Sequence, residues 1–118
     1  MENNKKLTQT ECDGVLAPIG DALYVIGGKW KLRVIASLRE GSMRFNEIQR
    51  SIEGISARVL SSELKELELN GFLKRTVYAK TPVVVMYELT DYAETLTEVL
   101  MALSNWGIMH RNKLRSER

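Results

Sequence analysis

Apolar residues recur at helical spacing through most of the chain, and each run stops at a glycine or a polar turn. After Pro18, whose fixed φ suits a first helical turn, Ile19, Leu23 and Ile26 follow at offsets of four and three, and Gly27-Gly28 closes the helix. Trp30, Val34, Ile35 and Leu38 mark a second helix over about 29–39, broken at Gly41-Ser42. Phe45, Ile48 and Ile52 mark a short third one, followed by a turn at Glu53-Gly54. Ser56 is placed to cap a fourth helix, whose stripe is Val59, Leu60, Leu64 and Leu67 and whose end is Asn70-Gly71. The pattern then turns β-like: 72–78 and 83–90 flank a four-residue tip at 79–82, which predicts a hairpin with Pro82 at the tip or an edge. A last helix, capped by Thr90 or Asp91, runs to about His110 and carries Leu96, Val99, Leu100, Leu103 and Trp106.

This order predicts one mainly α domain with a small β-hairpin, an α+β arrangement over 15–110. Polar, aperiodic residues 1–14 read as a flexible arm, and 111–118 as a basic tail. Three short helices followed by a hairpin is the plan of a winged helix-turn-helix, in which the third helix of the trio enters a DNA groove and the hairpin is the wing. The stretch 56–70 fits that third helix. Opposite its leucines stand Arg58, Ser61, Ser62 and Lys65, again at offsets of three and four. Short hydroxyls permit close approach to DNA, Arg58 is long enough to fork onto a guanine edge, and Ala57 offers a methyl to thymine. These residues, with Ser56, lie towards the helix N-terminus, from which a recognition helix reads bases.

Charge strengthens this picture. Between Lys29 and Lys80, eleven Lys and Arg stand against six acids, a net of +5; the remainder of the chain has six against nine, a net of −3. A basic midsection with acidic flanks suits an anionic partner. Lys29, Lys31, Arg44 and Asn46, at or near helix starts, and Lys80 and Thr81 at the wing tip are the candidate phosphate contacts. Catalytic readings find little: one histidine and one cysteine lie 98 positions apart, there is no Cys/His cluster for a metal, and Gly27-Gly28 lacks the strand and spacing of a phosphate loop. No cofactor is expected. No apolar run approaches a bilayer span and no signal peptide opens the chain, so the expected location is cytoplasmic, with no membrane partner. The single Cys12 forms no internal disulfide.

The pieces Gly27-Gly28-Lys29-Trp30, Arg44-Phe45, Glu47-Ile48 and Gly54-Ile55-Ser56 resemble the HxlR-type winged-helix transcriptional regulators. So do Leu64-Lys65-Glu66-Leu67, Tyr87-Glu88-Leu89-Thr90 and Trp106-Gly107. The resemblance covers roughly residues 15–107. It implies a homodimer joined through the first and last helices and bound to an operator of two half-sites; Ile19, Leu23, Leu96, Leu100, Leu103 and Trp106 would form the joint. Many members carry a cysteine just before the proline of the first helix; here Ala17 stands there, and Cys12 lies five residues earlier. Two alternatives stay open: a winged-helix module that binds a protein, and a repressor that senses oxidants or electrophiles through Cys12. A small-molecule or redox effector is unidentified.

Overall fold

The structure is a computed structural model; it describes residues 8–117, apart from the side chains at 10, 12 and 13. Five α-helices and one hairpin occur in the order α1 (Gln9–Ile26), α2 (Lys31–Ser37), α3 (Phe45–Ser51), α4 (Ala57–Leu69), β1 (Leu73–Tyr78), β2 (Val84–Leu89) and α5 (Thr97–Ser116), with a 3₁₀ turn at Asp91–Leu96 before α5. The three internal helices and the antiparallel hairpin match the expected winged plan.

The core is built where the periodicity placed it. Val34, Ile35 and Leu38 of the α2 region, Ile48 of α3 and Leu60, Leu64 and Leu67 of α4 are buried, joined by Phe72, Leu73 and Leu96. A leucine cut back to alanine at such a site costs about 2–5 kcal/mol, so the stripe on α4 fixes that helix firmly to the domain. Its ends are equally determined. The Ser56 side chain accepts from the Val59 amide at 3.1 Å. At the other end Gly71 adopts φ +82°. The Phe72 amide donates to the Leu67 carbonyl at 2.9 Å and the Gly71 amide to Glu68 at 3.1 Å. This left-handed closure, with Phe72 and Leu67 both buried, turns the chain directly into β1.

The hairpin pairs Leu73 with Leu89 through Tyr78 with Val84. On its outer edge β2 is tied to the α2–α3 connection. The Met43 amide donates to the Tyr87 carbonyl at 3.0 Å, and the Tyr87 amide returns a bond to Met43 at 2.8 Å. Tyr87 therefore turns its backbone polar groups away from β1. That makes Arg75 and Tyr87 a non-hydrogen-bonded pair, the kind with the closest side chains.

Three expectations change at the ends of the chain. The first helix begins at Gln9, not at Pro18, so 9–14 are helical; residues 1–7 lie outside the described part. The cause is a capping box: Glu11 donates its amide to the Thr8 hydroxyl at 3.1 Å, and the Thr8 amide donates to the Glu11 carboxylate at 2.8 Å. Pro18 is interior to that helix; the bond it omits would have gone to the carbonyl of Gly14, an exposed residue. The last helix is preceded by a 3₁₀ turn whose Ala93 and Leu96, eclipsed at three-residue spacing, are buried. It then continues to Ser116, so the supposed tail from residue 111 is helical.

Candidate nucleic-acid interface

On α4 the residues opposite the core stripe meet solvent. Ala57, Arg58, Ser62 and Lys65 are exposed, and Ser61 is half-buried. Ser56 serves as the cap, with its oxygen engaged by the Val59 amide and its hydroxyl hydrogen available to an acceptor. Ser61 and Lys65 border a cleft of about 320 Å³ between α4 and the hairpin, together with Glu68, Arg75 and Tyr87. The hairpin thus adds a guanidinium to the flank of α4, because Arg75 projects beside Tyr87.

The α3–α4 turn is set by Gly54, which adopts φ +88°. Trp30 packs against it: a β-carbon at Gly54 would lie 3.9 Å from the Trp30 ring. Two cations decorate that indole, Lys29 with Nζ 4.8 Å from the ring centroid and Arg33 with Cζ at 5.5 Å. Arg44 and Asn46 are exposed at the start of α3, where the Arg44 amide donates to Glu47 at 2.8 Å. Asn46, Gln49 and Arg50 line a shallow cleft of about 430 Å³ beside the same turn. At the hairpin tip Lys80 and Thr81 are exposed, and Lys80 Nζ stands 5.8 Å above the Tyr78 ring.

Lys31 departs from expectation. Its ammonium is 2.7 Å from Glu63 and 2.8 Å from Glu66, and its side chain is only 13% exposed. It braces α2 against α4 and is no free phosphate contact. The hydrogen bond to Glu63 foremost, then that to Glu66, raises its pKa, outweighing the burial that would lower it. Lys74 likewise faces its cross-strand partner Glu88 at 3.7 Å, though both are exposed.

Sequence reasoning did not single out Arg33 or Arg50. Arg50 stands four residues after Asn46 on α3, and Arg33 three after Trp30; both spacings were available as signals. Of the six residues expected at a subunit joint, Ile19, Leu23, Leu103 and Trp106 are exposed, and Leu100 packs partly against the core. Leu96 is the exception, buried inside its own domain because the 3₁₀ turn points it inward. His110 is exposed and stacks on Trp106 with ring centroids 5.1 Å apart. Cys12 falls on α1, but its side chain is outside the described set. Among the described residues there is no group of three or more His, Cys, Asp or Glu able to hold a metal, and no helix long and apolar enough to cross a membrane.

Residues 25–115 match the HxlR-like helix-turn-helix family. The HTH-type transcriptional regulator BH0655 of Halalkalibacterium halodurans is 46% identical over 96 residues, spanning 80% of this chain and 85% of its own. The HTH-type transcriptional regulator YybR of Bacillus subtilis is 39% identical over 101 residues, spanning 86% and 81%. Among solved structures, the redox regulator HypR in its reduced form superposes with a TM-score of 0.77 at 38% identity, covering 84% of this chain and 98% of HypR. With its winged fold and its helix-turn-helix, the chain belongs to the HxlR family, whose members are transcriptional regulators and not enzymes.

Proposed function

We propose that the protein is a cytoplasmic, sequence-specific regulator that binds an operator of two half-sites as a homodimer. In this reading α4 enters the major groove and the hairpin lies on the backbone or in the minor groove. The observation that carries it is the division of α4 into two faces: Leu60, Leu64 and Leu67 are buried, while Arg58, Ser62 and Lys65 are open to a ligand. A protein-binding module is less well supported, since aromatic anchors are missing from that face. The unpartnered stripes of α1 and α5 support pairing. Leu16, Ile19 and Leu23 are 48–65% exposed, and Leu103 and Trp106 are 51% and 58% exposed. Footprinting on DNA upstream of the protein's own and neighbouring genes would find the operator. Binding to that site and to mixed-sequence duplex over a range of salt would then test the reading; equal affinity for both would overturn specificity.

A thiol-sensing regulator is a second reading, favoured by one structural fact. Position 12 belongs to α1 and not to an arm, and it is in helical register with 16, 19 and 23, the stripe proposed for the joint. HypR is named a redox regulator. Against it, Glu11 and Asp13 flank the cysteine in sequence, and neighbouring carboxylates disfavour a thiolate. Operator binding by the parent and by Cys12→Ser, before and after mild peroxide or quinone, decides. Equal binding in all four samples is expected; release of only the treated parent would establish the sensor.

A further inference from the structure

Lys31 sits at the first position of α2, yet its ammonium is spent on two carboxylates of α4. Glu63 and Glu66 are 19% and 55% exposed, and both lie within 2.8 Å of the same Nζ. On α4, Glu66 follows Ser62 by one turn, so it borders the row formed by Arg58, Ser62 and Lys65. An acid there, left alone, would stand close to DNA phosphates. At exposed distances such repulsion is screened, but a duplex surface concentrates negative charge and excludes water, so the penalty grows on binding.

We propose that Lys31 controls DNA binding without touching DNA, by masking Glu63 and Glu66 so that α4 can approach phosphates. The inference rests on the reading of α4 as the DNA-facing helix. The trio carries a net charge of −1, where the two carboxylates alone would carry −2. The ammonium also has one donor left after its two short bonds, and it is mostly shielded from solvent by the α2–α4 contact. Masking of this kind explains why a helix that meets an anionic surface tolerates two acids beside its contact row. The acids hold Lys31, and Lys31 cancels half of their charge.

The test uses full-length protein, mixed-sequence duplex DNA and fluorescence anisotropy at several salt concentrations, with thermal melting to verify folding. Lys31→Met is expected to weaken binding about tenfold at low salt, with the loss shrinking as salt rises. Lys31→Met/Glu63→Gln/Glu66→Gln is expected to return to within about threefold of the parent, because the charges that needed masking are gone. Glu94→Gln/Glu98→Gln in the Lys31→Met background removes the same two charges from exposed sites away from α4 and should restore nothing. If Lys31→Met binds like the parent, or if the triple variant remains tenfold weak, masking is wrong. Should Lys31→Met fail to fold, Lys31→Met/Glu63→Gln, which leaves Glu66 alone unmasked, takes its place: weaker binding than the triple variant supports the inference, and equal binding overturns it. Failure of the underlying reading looks different: the parent would not bind duplex DNA at all, or Arg58→Ala would leave binding unchanged.

Discussion

Among single residues, Arg58 and Lys80 should separate the two components of DNA affinity. Arg58 is exposed one residue into α4, near the end from which bases are read. Arg58→Ala should weaken cognate binding by about 1–3 kcal/mol and relax preference at one base position per half-site. Titrations against a set of single-base operator variants would show it, and unchanged selectivity would remove Arg58 from the bases. Lys80, poised over Tyr78 at the exposed hairpin tip, is the proposed phosphate contact of the wing. Lys80→Ala should weaken all duplexes alike and make the salt dependence shallower by about one unit. What the sequence disclosed at this scale followed from helical spacing: which face of α4 is open, and that Ser56 is its cap. What it concealed depended on neighbours far along the chain. Lys31 looks like a free cation next to Lys29, and only folding brings Glu63 and Glu66, more than thirty positions away, against it.

For the elements, Lys31 is the polar tie between α2 and α4, the helix proposed to enter the groove. Its folded pKa lies above its ordinary value of 10.5. The stabilisation from the tie is therefore fully present below that ordinary value and fades only as pH rises through the higher folded value. Stability measured by denaturant midpoint should show no pH dependence from this group between neutral pH and about pH 9, then a loss in the alkaline range that is missing in Lys31→Met. A parallel alkaline decline in both proteins would show that the tie contributes little. Internal helices and the hairpin were legible because short apolar periods and turn residues define them. The ends were misjudged for local reasons. Thr8 and Glu11 form a capping box with recognisable spacing, yet Pro18 offers a stronger-looking start. The 3₁₀ turn before α5 has no distinctive signature, since Asp91–Leu96 would also suit the first turns of an α-helix.

At the level of the molecule, the shape is too extended for a lone compact domain. The radius of gyration is 17.6 Å, against roughly 13–14 Å for a compact chain of this length. α5 spans 20 residues without one that is fully buried. A helix with so much unpartnered apolar surface calls for cover, and in the proposed homodimer a second copy presenting the same stripe would supply it by two-fold symmetry. Because Leu103 is half-exposed and outside the core, Leu103→Glu should leave the monomer folded while abolishing the dimer. Sedimentation would show the change in mass. Operator affinity should fall towards that of a single half-site, since two recognition helices about 34–36 Å apart would no longer act together. A dimer with parental affinity would place the joint elsewhere.

The paired bonds between Met43 and Tyr87 also provide a built-in clock. They fasten the outer edge of the hairpin to the loop between α2 and α3, so their two amides can meet solvent deuterium only when wing and loop part. If the hairpin lifts as a unit, these amides should exchange faster than those inside α4 and in step with each other. Slowing of that exchange on DNA would then report the wing settling against the duplex, independently of any contact made by the recognition helix.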